Sequence, residues 1–156
     1  MTIHRLNLLA DYFQFLLFDE DSEYDSLDWS TDAVERMLAV GKDCASIGTL
    51  RNVTVPVELH LTAADPKPDL ALYDNVSEGS VSIPSGQLVV MGCTDYQPDA
   101  LKLQVAPGTY QLLALAKGIG TIQTEWDPAD DLYVVYLWPG PIREPRLVKS
   151  WRSAVA

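Results

Sequence analysis

Carboxylates are the chemically active side chains that this sequence gathers most densely. Asp19, Glu20, Asp21, Glu23, Asp25 and Asp28 fall within ten residues, and Glu125, Asp127, Asp130 and Asp131 within seven. Such loops can simply be solvated and aid solubility. They can also supply some of the six to eight oxygens that calcium requires. An EF-hand is excluded, because counting from Asp19 puts Tyr24 at position six and Ser30 at position twelve, where Gly and Glu are needed. The third chemistry is mimicry. Carboxylates on loops can occupy the place of phosphates on a basic, nucleic-acid-binding surface and steer its approach. Trp29, beside Asp28 and near Tyr24, then supplies an aromatic anchor. The alternative for Trp29 is a staple holding a helix start onto the core.

Other chemistries fail on spacing. Gly41-Lys42 has Arg36 and Asp43 where a phosphate loop needs Gly and Ser or Thr. Gly118-Ile119-Gly120 is followed by Gln123 rather than the third glycine of a dinucleotide fingerprint. There is no Gly-x-Ser-x-Gly elbow. The histidines are His4, in an amino-terminal tail, and His60, on the polar side of a strand and expected to be solvated. Cys44 and Cys93 have no histidine close in sequence and read as two reduced, partly buried thiols. Two cysteines and two distant histidines do not make a zinc site. Neither a cofactor nor a catalytic residue is expected.

Charge narrows the partner classes. The 156 residues carry 22 acids and 11 bases, a net charge of −11, which argues against general binding of nucleic acid or an anionic membrane surface. The carboxyl end reverses sign. Arg143, Arg146, Lys149 and Arg152 against Glu144 give residues 143–156 a net +3, so residues 1–142 carry −14. A basic tail on an acidic body most simply folds back against its own acids. The apolar stretches are far shorter than the ~20 residues of a membrane helix, and the amino end lacks the pattern of a targeting segment. The expectation is a cytoplasmic, single domain over residues 1–156.

The elements that must position these groups are mostly strands. Val53, Val55, Val57, Leu59 and Leu61 alternate with polar residues and with Pro56, a period of two that predicts a half-buried strand, at an edge or bulge because of the proline. Further strands are predicted at 12–18, 45–50, 80–83, 87–93, 101–105, 110–116 and 132–138. The last is apolar on both faces and therefore central. Ser30 can cap one helix near residues 31–40, with Val34, Met37 and Leu38 as its apolar stripe and Gly41 as its stop. Seven or eight strands and one short α-helix predict a mainly β fold, a two-sheet β-sandwich or a barrel-like closure.

These segments also carry a family resemblance. Tyr12-Phe13-Gln14-Phe15-Leu16-Leu17-Phe18, the run from Asp28-Trp29-Ser30 to Arg36, and Arg51-Asn52 before the alternating strand resemble the bacterial DNA-entry nuclease inhibitor, or competence protein J, family. Pro107-Gly108-Thr109-Tyr110-Gln111-Leu112 is similar to a turn and strand near that family's carboxyl end. The resemblance covers under half of the chain and carries over no catalytic residue. It implies a small acidic cytosolic protein that binds and inhibits a DNA-degrading nuclease, of DNA-uptake or toxin-immunity type. On that reading Glu20, Asp21, Glu23, Asp25 and Asp28 meet the partner's basic surface, with Trp29 as an anchor. The alternative is a sandwich module holding calcium or a small ligand in its acidic loops.

Overall fold

Period-two alternation becomes two stacked sheets in the computed structural model, which describes residues 1–23 and 27–152. The chain runs β1 (Thr2–Leu9), β2 (Gln14–Asp19), α1 (Thr31–Arg36), β3 (Leu38–Val40), β4 (Cys44–Gly48), β5 (Thr54–Leu61), β6 (Asn75–Ile83), β7 (Gln87–Gly92), β8 (Leu101–Gln104), β9 (Gly108–Lys117), β10 (Leu132–Pro139) and β11 (Arg146–Lys149). One sheet has the order β1-β5-β10-β9-β6-β11 and the other β3-β4-β2-β7-β8. All pairings are antiparallel except β5 with β10. The sheets are open, so the fold is a sandwich of eleven strands among the described residues, more than the seven or eight expected.

Facing side chains of the two sheets form the main core. Phe15 and Leu17 of β2 and Leu88 and Val90 of β7 meet Val57 and Leu59 of β5, Leu112 and Ala114 of β9, and Tyr133 and Val135 of β10. Fully burying a side chain of this size contributes about 1.5–3 kcal/mol. The outer faces are apolar too. Leu16 and Phe18 turn away from the main core and pack with Cys44, Val89 and Met91 under Leu27. Val134 and Trp138 do the same on the other sheet, beneath Leu70 and Tyr73. That is why β2 and β10 read as continuous apolar runs: both lie inside their sheets, and both of their faces are covered.

Several boundaries differ from expectation, for physical reasons. β5 is interior rather than an edge; its parallel ladder with β10 begins at Val57, so Pro56 stands just before it. The edge is β1, formed by residues expected to be a tail, with His4 opposite Leu59. The helix stops at Arg36 instead of running to residue 40. Met37 takes the left-handed conformation (φ 57°) and donates its N–H to the carbonyls of Ala33 and Val34. Leu38 can then enter β3 opposite Ile47, fully buried, and that burial outweighs the strain at Met37. Gly48 permits the turn, since a Cβ there would lie 3.2 Å from Met37 Cα. Ala33, not Val34, is the helix's buried residue.

The basic carboxyl segment lies along the six-stranded sheet. β11 pairs with β6, Glu78 meets both Arg143 (3.3 Å) and Arg146 (2.8 Å), and Arg152 reaches Glu35 at 3.1 Å.

Candidate functional site

The two acidic runs each contain one acid that the fold has taken for itself. Asp19 is buried at the end of β2, where Oδ2 accepts the N–H of Ser85 (2.8 Å) and Oδ1 that of Asp21 (2.9 Å). Asp131 is buried before β10 and clamps Arg51: Nε lies 3.0 and 3.1 Å from its two oxygens. Tyr133 donates to Asp131 Oδ2 at 2.8 Å and accepts the N–H of Leu50 at 3.1 Å. The hydrogen bond to Asp131 raises the pKa of Arg51 above its ordinary value, and burial pushes the Tyr133 phenol up. Both groups keep their protons throughout the neutral range.

The remaining acids of the first run are mostly at the surface. Glu20 pairs with Lys102 at 2.9 Å. Asp21, Glu23 and Asp28 are exposed, and Asp25 lies outside the described residues. The structure brings Glu23 and Asp28 together. They flank a hollow of about 320 Å³ on the outside of the five-stranded sheet, with Leu27 and the β3–β4 turn from Gly41 to Cys44. Lys42 and Asp43 also line it. Among the described residues no cluster of three or more His, Cys, Asp or Glu side chains is arranged to hold a metal ion, so the calcium reading gains no support from the geometry.

Trp29 holds the helix start to the sheet and keeps part of its ring at the surface. Its Nε1 donates to Gln14 Oε1 at 3.0 Å, which ties the helix start to β2, while its ring is only half-buried. That ring lines a cleft of about 250 Å³ with Tyr12, Phe13, Val34, Met37 and Leu50. The cleft is a feature that sequence reasoning missed. Tyr12 and Phe13 both have left-handed backbone, φ 59° and 61°, like Met37 across the cleft. Non-glycine residues pay about 1–3 kcal/mol each for such strain. Three bonds fix the turn: Tyr12 N–H to Asn52 Oδ1 (3.0 Å), Phe13 N–H to the Ala10 carbonyl (3.0 Å), and Thr49 N–H to the Phe13 carbonyl (2.8 Å). The result holds Tyr12 69% exposed and Val34 49% exposed on the two sides of an apolar hollow.

The histidine and thiols are placed differently from a catalytic set. His60 is buried rather than solvated, with Nε2 3.0 Å from Glu58 and its ring 4.5 Å from that of Tyr136. Burial pushes the Cys44 thiol up to about 12 and raises that of Cys93 as well, so both are held away from the reactive thiolate.

No family model matches this sequence, and no curated protein matches it either. Solved structures do match its fold. ComJ from Bacillus subtilis, described as an inhibitor of the DNA degrading activity of NucA, superimposes with a TM-score of 0.67 at 17% identity, over 90% of this chain and 96% of that one. The product of crocagin biosynthetic gene J superimposes with a TM-score of 0.60 at 21% identity, over 90% of this chain and 98% of that one. The resemblance read from residues 12–61 and 104–116 therefore holds for the fold across most of the chain.

Proposed function

We propose that this chain is a non-enzymatic protein inhibitor of a DNA-degrading nuclease. The observation that carries the reading is the fold shared with ComJ over nearly the whole of both chains, joined to a sequence of net charge −11. In this reading Glu20, Asp21, Glu23, Asp25 and Asp28 stand in for DNA phosphates on a basic nuclease surface, and Trp29 adds apolar contact. The partner is of DNA-uptake or toxin-immunity type, and binding takes place in the cytoplasm. Within the first run, Asp21, Glu23 and Asp28 suit this role best of the described acids, because they are exposed and no basic side chain among the described residues pairs with them, whereas Glu20 is engaged by Lys102.

Purified chain titrated into DNA-degradation assays with a panel of basic DNases, NucA among them, tests the proposal. The expected result is stoichiometric inhibition of at least one member, weakening as salt is raised. Charge reversal at Glu23 and Asp28 together should slow association with that member by about tenfold. A panel in which no nuclease is bound or slowed would sink the proposal.

A further inference from the structure

One sheet edge is long, regular and free of acid. β1 has β5 on one side and, among the described residues, no strand on the other. Ala10 N–H donates to the carbonyl of Val53 at 2.9 Å, one step beyond the last pair of the β1–β5 register. Antiparallel ladders alternate between hydrogen-bonded and non-hydrogen-bonded pairs, so His4, Leu6 and Leu8 direct their backbone groups to β5. Ile3, Arg5, Asn7 and Leu9 therefore turn their N–H and C=O groups to the open edge. Pro56, which has no N–H to donate, stands opposite Asn7 in one of the non-hydrogen-bonded pairs. The other edge strands are blunted. β3 has three residues, β8 four, and β11 four with a register shift between Leu147 and Lys149. β1 has eight, in unbroken register and without proline. Its rim is apolar: Ile3 is 38% and Leu9 39% exposed, and Leu6 and Leu8 are only partly buried against the core.

We infer that this edge receives β1 of a second copy of the chain, antiparallel and centred on Leu6. In that register Leu6 meets its own counterpart, His4 meets Leu8, Arg5 meets Asn7 and Ile3 meets Leu9. All four outward-facing residues of each copy then fall in hydrogen-bonded pairs. Sliding the register by two residues one way sets Arg5 against Arg5, where like charges oppose. Sliding it the other way sets Asn7 against Asn7 and leaves Ile3 without a strand partner. Charge selects this occupant as well. Residues 2–9 contain no acid in a chain of net charge −11, and Arg5 already lies 4.0 Å from Glu58. Two acidic bodies can meet here without opposing carboxylates, whereas a basic partner would meet Arg5. The contact is isologous, so it closes both edges at once and stops at two copies.

Sedimentation of the full chain over a range of concentrations, with amide exchange on the same samples, tests the pairing. A monomer–dimer equilibrium should appear and strengthen as salt rises, because salt screens the repulsion between two bodies of like charge. The amides of Ile3, Arg5, Asn7 and Leu9 should gain protection on dimerisation, about tenfold or more, while those of His4, Leu6 and Leu8 are protected at every concentration. Substitutions at Asn7 read the register. Asn7→Glu faces the partner's Arg5 and should tighten the dimer several-fold; Asn7→Arg opposes it and should loosen the dimer by a similar factor. Ile3→Lys removes the apolar pair with Leu9 and should loosen it about tenfold. Ile3 and Asn7 are exposed in the single chain, so the melting midpoint of dilute monomer should not move. A chain that stays monomeric at millimolar concentration overturns the inference, as does a dimer indifferent to all three variants or one that protects other residues. Protection of these four amides only when a nuclease is added overturns it too, because the edge then belongs to that partner. None of these outcomes alters whether the chain inhibits a nuclease.

Discussion

The two acidic runs look alike in sequence and are built differently. The second is anchored by an ion pair: Asp131, 1% exposed, holds Arg51 and Tyr133 and so fixes the start of β10 against residues 50–51. The first is anchored without a cation: Asp19, also 1% exposed, is satisfied by two backbone N–H groups. A carboxylate held by amides braces backbone alone; further along, Leu27, with Cys93 and Ala100, packs on Leu16, Phe18 and Cys44 at the outer face of the sheet. A carboxylate held by Arg51 pins the loop instead. Acid density in a sequence therefore does not distinguish a brace from a surface; what each acid can reach does.

Substituting the two anchors breaks the comparison most directly. Asp131→Ala leaves the Arg51 guanidinium buried without its counter-ion and should cost about 3–5 kcal/mol. Asp19→Ala leaves two N–H groups wanting acceptors near the surface and should cost about 1–3 kcal/mol. Urea midpoints at neutral pH measure both. Equal losses would show that the two runs are anchored alike. Replacing Arg51 and Asp131 together by Met and Leu should recover much of the larger loss, since no charge is then stranded.

A smaller effect reports the cover that the first run provides. Cys44 lies beneath it, with its pKa raised from 9.0 to about 12 first by burial and then by Asp43. The unfolded thiol loses its proton near 9 while the folded one keeps it. The stabilisation is therefore complete below about pH 9 and is lost as pH rises toward 12. Between those values stability should fall by up to about 1.4 kcal/mol per pH unit from this group. Tyrosines add their own decline above pH 10, so the useful quantity is the difference between the parent and Cys44→Ala. The variant should show a shallower slope from pH 9 to 10; identical slopes would mean that the loop leaves Cys44 open to water.

Much of this architecture was legible because period two is a local signal. Val53 to Leu61 and Leu132 to Trp138 announce a strand and a central strand without any knowledge of the fold. β1 and β11 were not legible. In β1 only His4, Leu6 and Leu8 turn partly inward, and β11 is marked by basic residues rather than alternation. The helix end was misplaced because pairing of Leu38 with Ile47 decides it, and no residue near Met37 signals a left-handed turn. The cleft was invisible for the same reason. Tyr12, Trp29, Val34 and Leu50 have no mutual spacing; the β2–β4 pairing, the Tyr12–Asn52 and Thr49–Phe13 bonds and the Trp29–Gln14 bond bring them together.

Glu20 sharpens the comparison at its weakest point. It belongs to the exposed part of the first run, yet it is paired with Lys102 of β8 at 2.9 Å, both side chains being 36% exposed. An ion pair this open gains little, because water and salt screen it and two long side chains must be ordered to form it. Glu20→Gln should therefore change stability by less than about 0.5 kcal/mol, and the difference should vanish in high salt. The same substitution should also affect nuclease inhibition less than charge removal at Glu23 or Asp28, because binding through Glu20 must first break the contact with Lys102. A stability loss above about 1 kcal/mol would place Glu20 with Asp19 as a brace. A loss of inhibition as large as that at Asp28 would show instead that Lys102 yields its partner freely, and that the first run presents its acids as one surface.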